Sequence, residues 1–285
     1  MSDPETAAAP VTASAAAQPT RPRVAVITGA GGGLGRAFAT ALASAGWTVA
    51  ALGRTRATLE ETIEGLDDLS PADSADGADR ADSADGADGA DRADRAGAPQ
   101  HLAVVCDVTD EDSVQIAFDT ITDHFGRLDL LVNNAGIPGP TGRLDGVDVA
   151  DFSATVHTNL TGTFLCTRAA FAWMAAHGGG RIINNGSIAA QSPRAGAAAY
   201  AASKAAVASL TVSTALDGRD VNVTATELDI GNARTELLGA FSSSEPMFDA
   251  AEAARLLVSV ADLPTSVSVD RFTVTAAGMP YLGRG

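Results

Sequence analysis

The sequence predicts a single α/β domain in which a doubly wound, seven-stranded parallel sheet is covered by helices on both faces. Three observations carry this expectation. From Arg23 onward, apolar β-branched runs alternate with amphipathic or Ala-rich stretches of helical length, as required when each crossover returns over a face of a parallel sheet. At 285 residues and 46% hydrophobic content the chain can fill one such core. A glycine-rich turn also falls between the first apolar run and the first helix, and such sheets bind ligands beyond the carboxyl ends of their strands.

The elements follow in order. Val24 to Ile27 reads as a buried strand, Leu34 to Ala45 as a helix, Thr48 to Leu52 as a strand and Thr55 to Leu66 as a helix. Leu102 to Cys106, a helix from Glu111 to His124, Leu128 to Val132, a long helix from Val149 to Ala176, and Arg181 to Asn184 come next. A helix from Ala198 to Leu216, then Val221 to Thr226, a helix from Asp249 to Ala261, and Arg271 to Thr275 complete the pattern.

Two stretches stand outside it. Residues 1–20 are Ala, Pro, Thr, Ser and acidic residues, too poor in large apolar groups to offset the entropy of ordering, and are expected to be a disordered tail before a domain over 21–285. Residues 72–95 are eight consecutive Ala-Asp-x triplets with eight Asp and three Arg, the centre of an acidic low-complexity insert over 70–97. Their spacing of three does not match the two-residue spacing of calcium-loop ligands.

The net charge of −16 excludes a general nucleic-acid or anionic-membrane binder. With no apolar run long enough to span a bilayer and no cationic leader, a cytoplasmic location is expected. Cys106 and Cys166 have no metal-ligand pattern and read as buried thiols of a reducing compartment. His101, His124, His157 and His177 fit no metal spacing, and no Gly-x-Ser-x-Gly elbow is present. No metal is expected.

The turn reads Thr28-Gly29-Ala30-Gly31-Gly32-Gly33-Leu34-Gly35. Glycines there permit a tight turn and close approach to a pyrophosphate, whose charge meets the free amides at the helix start. The spacing is Gly-x3-Gly-x-Gly rather than G-x-G-x-x-G, and no Gly-Lys-Ser/Thr follows. Farther on, Tyr200 and Lys204 stand one helical turn apart on one face. Lys204 is the only lysine beside eighteen arginines and Tyr200 is one of two tyrosines, which marks a site requiring a compact ammonium. A nearby cation should lower the phenol's pKa toward the working range of an acid.

From about Arg23 to Ala277 the chain resembles the short-chain dehydrogenase/reductase family, which has a Rossmann fold. The cofactor turn, Asp107 in Cys106-Asp107-Val108, Asn133-Asn134-Ala135-Gly136, Asn159, Ser187, and Tyr200 with Lys204 occur in the family's order. The resemblance implies an NAD(P)-dependent oxidoreductase acting on a carbonyl or secondary alcohol. Tyr200 would be the acid in reduction, Ser187 would bond the substrate oxygen, Lys204 would hold the nicotinamide ribose, and Asn159 would hold a relay water. Thr28, Gly29, Gly33, Leu34, Gly35, Arg54, Asp107, Val108, Asn133, Ala135 and Gly136 would contact the cofactor with Tyr200 and Lys204, and Ile230 and Thr235 would reach the carboxamide. Arg54 follows Gly53, where NAD-preferring relatives carry an acid, and a guanidinium there attracts a 2′-phosphate. NADP(H) is thus expected, with NAD(H) as the alternative. The rival from another class is a nucleotide-binding sensor or scaffold without turnover.

Three departures stand out. The stretch Thr226 to Thr235 lacks the family's Pro-Gly after the sixth strand; the segment from Lys204 to Val221 is short in a helix relatives use for assembly; and Gly186 replaces a frequent second serine, enlarging the space beside Ser187. A homo-oligomer, dimer or tetramer, is expected from the resemblance. Residues 236–248, with Leu237, Leu238, Phe241, Met247 and Phe248, should form a lid over an apolar substrate.

Overall fold

Burial on both faces explains why the first strand, β1 (Val24–Thr28), shows no polar alternation. The computed structural model describes residues 22–69, 101–235 and 245–279. The N-terminal tail, the Ala-Asp insert, and Leu237, Leu238 and Phe241 of the expected lid lie outside the described residues. After β1 come α1 (Gly33–Ser44), β2 (Thr48–Gly53), α2 (Arg56–Asp67), β3 (Leu102–Val105), α3 (Glu111–Phe125) and β4 (Leu130–Asn133). Next are α4 (Val149–Val156), α5 (Gly162–Ala176), β5 (Gly180–Asn185), α6 (Ala198–Asp217) and β6 (Val223–Ile230). The chain continues with β7 (Ala233–Arg234), β8 (Phe248–Asp249), α7 (Ala250–Ala261) and β9 (Arg271–Val274).

Seven strands form one parallel sheet in the order β3-β2-β1-β4-β5-β6-β9. The order reverses beside β1, which leaves a crevice between the ends of β1 and β4. One core layer joins Ile27, Val132, Ile183 and Leu228 to Phe38 and Leu42 of α1, Leu59 of α2 and Leu257 of α7. The other joins Val26, Leu131 and Ile182 to Phe118 and Ile121 of α3 and Cys166 and Met174 of α5. Truncating one of these side chains to Ala costs about 2–5 kcal/mol. Among the described residues no helix is long and apolar enough to cross a membrane.

The structure departs from the sequence expectation at three places. The long helix expected from Val149 to Ala176 is interrupted by a π-helical turn over His157–Thr161, which carries Asn159. Such turns frequently occur at functional sites. β6 runs on through Glu227 and Asp229 to Ile230, where a loop was expected after Thr226. Buried carboxylates inside a strand are rare, so local sequence argued against it. The pairing Glu227 with Arg271 and Asp229 with Thr273 of β9 supplies the missing support. Finally, β7 and β8 form a small parallel ladder outside the main sheet.

Candidate active site

The turn after β1 is shaped by what cannot fit. Gly29 has φ +66°, which disfavours any side chain, and a Cβ on Gly35 would lie 2.1 Å from the Gly29 carbonyl oxygen. Helix α1 therefore rests directly on the turn. Thr28 Oγ1 accepts hydrogen bonds from the Asn134 and Ala135 amides at 2.9 and 3.0 Å, and Asn134 Nδ2 donates to the Thr28 carbonyl at 3.1 Å. These bonds lock the ends of β1 and β4 together at the crevice.

Helix α1, like α2, α5 and α6, has no side-chain cap and no acidic residue in its first turn, and it starts directly from the glycine turn after β1; α3, α4 and α7 are capped by Asp110, Asp148 and Asp249. In so acidic a chain, this leaves the first amides of α1 open to an anion. The donor set fits a dinucleotide pyrophosphate. Leu34 packs partly into the core, and Thr235 lies 3.5 Å from the position of a Gly33 Cβ, over the same turn.

Arg54 is exposed beyond β2. The Asp107 carboxyl is held below its ordinary pKa by the amide and hydroxyl of Thr109, with Arg54 adding to the effect. Val108 packs where a Gly162 side chain would stand, bringing α5 close to this end of the crevice. Arg36, not singled out from sequence, braces the turn by donating to the Gly31 carbonyl at 2.8 Å and Thr62 Oγ1 at 3.1 Å. Its place directly after the last glycine of the motif was the available signal.

Ser187, Tyr200 and Lys204 converge beyond β5. Ser187 begins a 3-10 turn, accepting from the Ala189 amide at 3.2 Å, and its hydroxyl acts on the Tyr200 phenol, favouring the ionised form. Lys204 is 6% exposed and donates to the Asn185 carbonyl at 2.5 Å, with Nζ 5.7 Å from the Tyr200 ring centre. Burial lowers the Lys204 pKa to about 8, against the opposing pull of Asp229 and Glu227. The Tyr200 pKa is raised, by burial first and Asp229 second, while the Ser187 hydrogen bond opposes the rise. The lowering expected from Lys204 is thus not what the free protein shows. Burial disfavours the phenolate, and the ammonium is engaged by the Asn185 carbonyl.

Asn159 has all its amide atoms committed: Oδ1 accepts from the Ile137 amide at 2.8 Å, and Nδ2 donates to the Ile137 carbonyl and Ser203 Oγ, both at 3.0 Å. Its side chain therefore ties the π turn to the loop after β4 and to α6 between Tyr200 and Lys204. A Gly136 Cβ would lie 3.1 Å from Asn159 Oδ1, which explains that glycine. The Asn133 side chain turns away from the crevice: Nδ2 donates to Thr167 Oγ1 at 2.9 Å and Asn184 Oδ1 at 2.8 Å. Ile230 is 8% exposed with its side chain in the core, so only its main chain is placed to meet a ligand.

Sequence reading missed two further groups. Glu227 and Asp229 are 1% and 0% exposed, behind Ser187. Arg271 donates through Nε to Glu227 at 2.6 Å and stands 3.7 Å from Asp229, whose Oδ2 accepts from Gln191 at 3.2 Å. Burial and the Glu227 carboxylate push the Asp229 pKa up to about 6, with Arg271 opposing. A Cβ on Gly186 would meet Asp229 Oδ1 at 2.4 Å and Glu227 Cγ at 2.9 Å. The space expected beside Ser187 is therefore filled by carboxyl groups. The Glu-x-Asp spacing, which puts both side chains on one face of a strand, was the signal that could have found them.

His101 serves the scaffold, its Nδ1 accepting from the Val49 amide at 3.0 Å. Cys106 and Cys166 are buried free thiols, both with raised pKa from burial. Among the described residues no cluster of His, Cys, Asp or Glu could hold a metal ion.

Known proteins align with this arrangement. The sequence profile of the short chain dehydrogenases matches residues 23–93 and 80–246. A cis-4-hydroxycyclohexanecarboxylate dehydrogenase of Sinomonas cyclohexanicum is 37% identical over 68% of this chain and 66% of its own length. Sulfoacetaldehyde reductase 2 of Chromohalobacter salexigens is 31% identical over 88% of this chain and 93% of that protein. The crystal structure of a 3-ketoacyl-(acyl-carrier-protein) reductase from Brucella melitensis, complexed with NADH, is 26% identical and superposes with a TM-score of 0.74, covering 90% of this chain and 98% of that one.

Proposed function

The chain belongs to the short chain dehydrogenase family, an oxidoreductase acting on CH–OH and C=O groups, and from that premise we propose that it reduces an apolar ketone, or oxidises the matching secondary alcohol, using NADP(H). The observation that carries the reading is the convergence of Ser187, Tyr200 and Lys204 beyond β5, in a sheet whose β1 turn offers uncapped helix amides. Bound nicotinamide supplies or accepts the hydride. In reduction the Ser187 hydroxyl donates a hydrogen bond to the substrate oxygen and stabilises its growing negative charge. The Tyr200 hydroxyl gives that oxygen its proton, and the Lys204 ammonium stabilises the resulting phenolate. In oxidation these transfers reverse. Asn159 holds Ser203 and hence the register of α6, on which Tyr200 and Lys204 stand.

The NADP preference rests on exposed Arg54 after Gly53, with no acid at that strand end. An apolar substrate is supported by Ile188, Ala276 and Met279 clustering with Phe248 beside Ser187. A homo-oligomer is supported by Phe164 of α5 and Val212 and Leu216 of α6, each about half exposed. We place it in the cytoplasm on its free thiols and charge.

A panel of ketones and secondary alcohols, scored by NADPH and NADH absorbance, tests the activity. Arg54→Ala tests the cofactor: the NADPH dissociation constant should rise about tenfold or more, the cost of a lost charge-assisted pair, with NADH nearly unchanged. Equal weakening of both, or of neither, removes the assignment.

A further inference from the structure

The proposed chemistry employs Ser187, Tyr200 and Lys204 but gives no task to the two carboxyl groups buried behind them. Removing two carboxylates from water is costly unless each is paired. Glu227 takes the principal bond of Arg271, and its Oε1 finds no hydrogen-bond partner among the described residues, as is also true of Asp229 Oδ1. Asp229 is faced by Glu227 on its own strand, Arg271 on β9 and the neutral Gln191 amide. A Cβ on Gly186 would lie 2.4 Å from its Oδ1, next to Asn185, whose carbonyl holds Lys204 Nζ at 2.5 Å, which brings its charge to bear on Lys204 and Tyr200 of α6. With Arg271 bonded to Glu227 and only 3.7 Å from Asp229 at its nearest, much of the Asp229 charge is left to act on α6.

We propose that Asp229, with Glu227 holding Arg271 beside it, is an electrostatic backstop that keeps Lys204 as the ammonium and Tyr200 as the neutral phenol, poising the site to donate a proton to a carbonyl. Asp229 is a positioning residue, since it reaches the reaction only through α6. A negative charge favours the protonated form of both neighbours, and burial limits the screening of that effect. Gly186 belongs to the same device: its missing side chain is the room in which the carboxyl groups stand. If the pair served only to brace β9, isosteric amides would replace it without altering ionisation elsewhere.

The proposal rests on the catalytic roles assigned to Tyr200 and Lys204, so its test reads ionisation apart from turnover. Tyr200 and Tyr281 are the two tyrosines of the chain, and Tyr281→Phe leaves Tyr200 as the sole phenol. In that background, tyrosinate absorbance against pH, read promptly after a pH jump, reports Tyr200 without any substrate. Asp229→Asn should lower its midpoint by about 0.5 to 1 pH unit, the smaller end of the shift a nearby charge produces. Glu227→Gln should lower it less, because it leaves the Asp229 carboxylate in place and acts through Arg271, freed to pair with it, and this variant decides the matter if Asp229→Asn does not fold. Midpoints equal to the parent's would overturn the backstop. The pH limb of alcohol oxidation should move down with the absorbance midpoint. A midpoint that moves while the limb stays would keep the backstop and strike out Tyr200 as the acid–base residue.

Discussion

The ends of β1 and β5 both depend on a glycine that lets something approach, and they differ in what approaches. At Gly35 the obstacle to a side chain is a backbone oxygen 2.1 Å away; at Gly186 it is a pair of buried carboxyl side chains, the nearest atom at 2.4 Å. Backbone cannot yield without dismantling the turn, whereas side chains can be exchanged. The first end is therefore confined to one spacing of glycines. The second is free to vary, provided its glycine and its carboxylates change together.

The largest expected effects fall at the second end, where the proposed chemistry is. Tyr200→Phe and Lys204→Arg should each stay folded and lose at least about a hundredfold in turnover. The double variant should lose little more, since the two act as one unit. Buried Lys204 already contacts the Asn185 carbonyl at 2.5 Å, which leaves little room for a planar guanidinium. Reduction by Lys204→Arg at the parental rate, with cofactor affinity preserved, would disqualify the pair.

A next, smaller effect separates the two glycines. Gly35→Ala should weaken cofactor binding by about tenfold or more, through a shifted α1, and no second side-chain change should restore it. Gly186→Ala should cost about 1–3 kcal/mol of stability by overpacking. Most of that should return when Asp229→Ala is added, a coupling readable from a double-mutant cycle of urea unfolding. Additive costs at Gly186 and Asp229 would break the comparison.

The smallest effect is in the pH dependence of stability. Asp229 has a folded pKa raised to about 6, so its contribution is fully present below the ordinary aspartate range and is lost as pH rises through that value. The parent should therefore lose on the order of 1–2 kcal/mol relative to Asp229→Asn between about pH 4 and about pH 7. Parallel unfolding curves across that window would show that Asp229 titrates as it does in the unfolded chain.

The alternating apolar runs and the spacing of the motifs determined the parallel sheet, the crevice beside β1, and the pairing of Tyr200 with Lys204, to which the family resemblance added Ser187. These were legible because they are periodic or local: burial on both faces shows as unbroken apolar strands, and a phenol with an ammonium four residues later must share a helix face. What only the tertiary structure decided depends on partners distant in sequence. Asn133 lies in a motif and Ile230 at a strand end expected to reach the cofactor, yet their side chains turn into the layers around Thr167 and Leu228. Glu227 and Asp229 read as loop residues until Arg271, 44 residues beyond Glu227, pairs with them from β9. The ionisation of Tyr200 is likewise shifted by burial and by a carboxylate on β6, because charge acts through space and a buried group's solvation depends on everything packed around it.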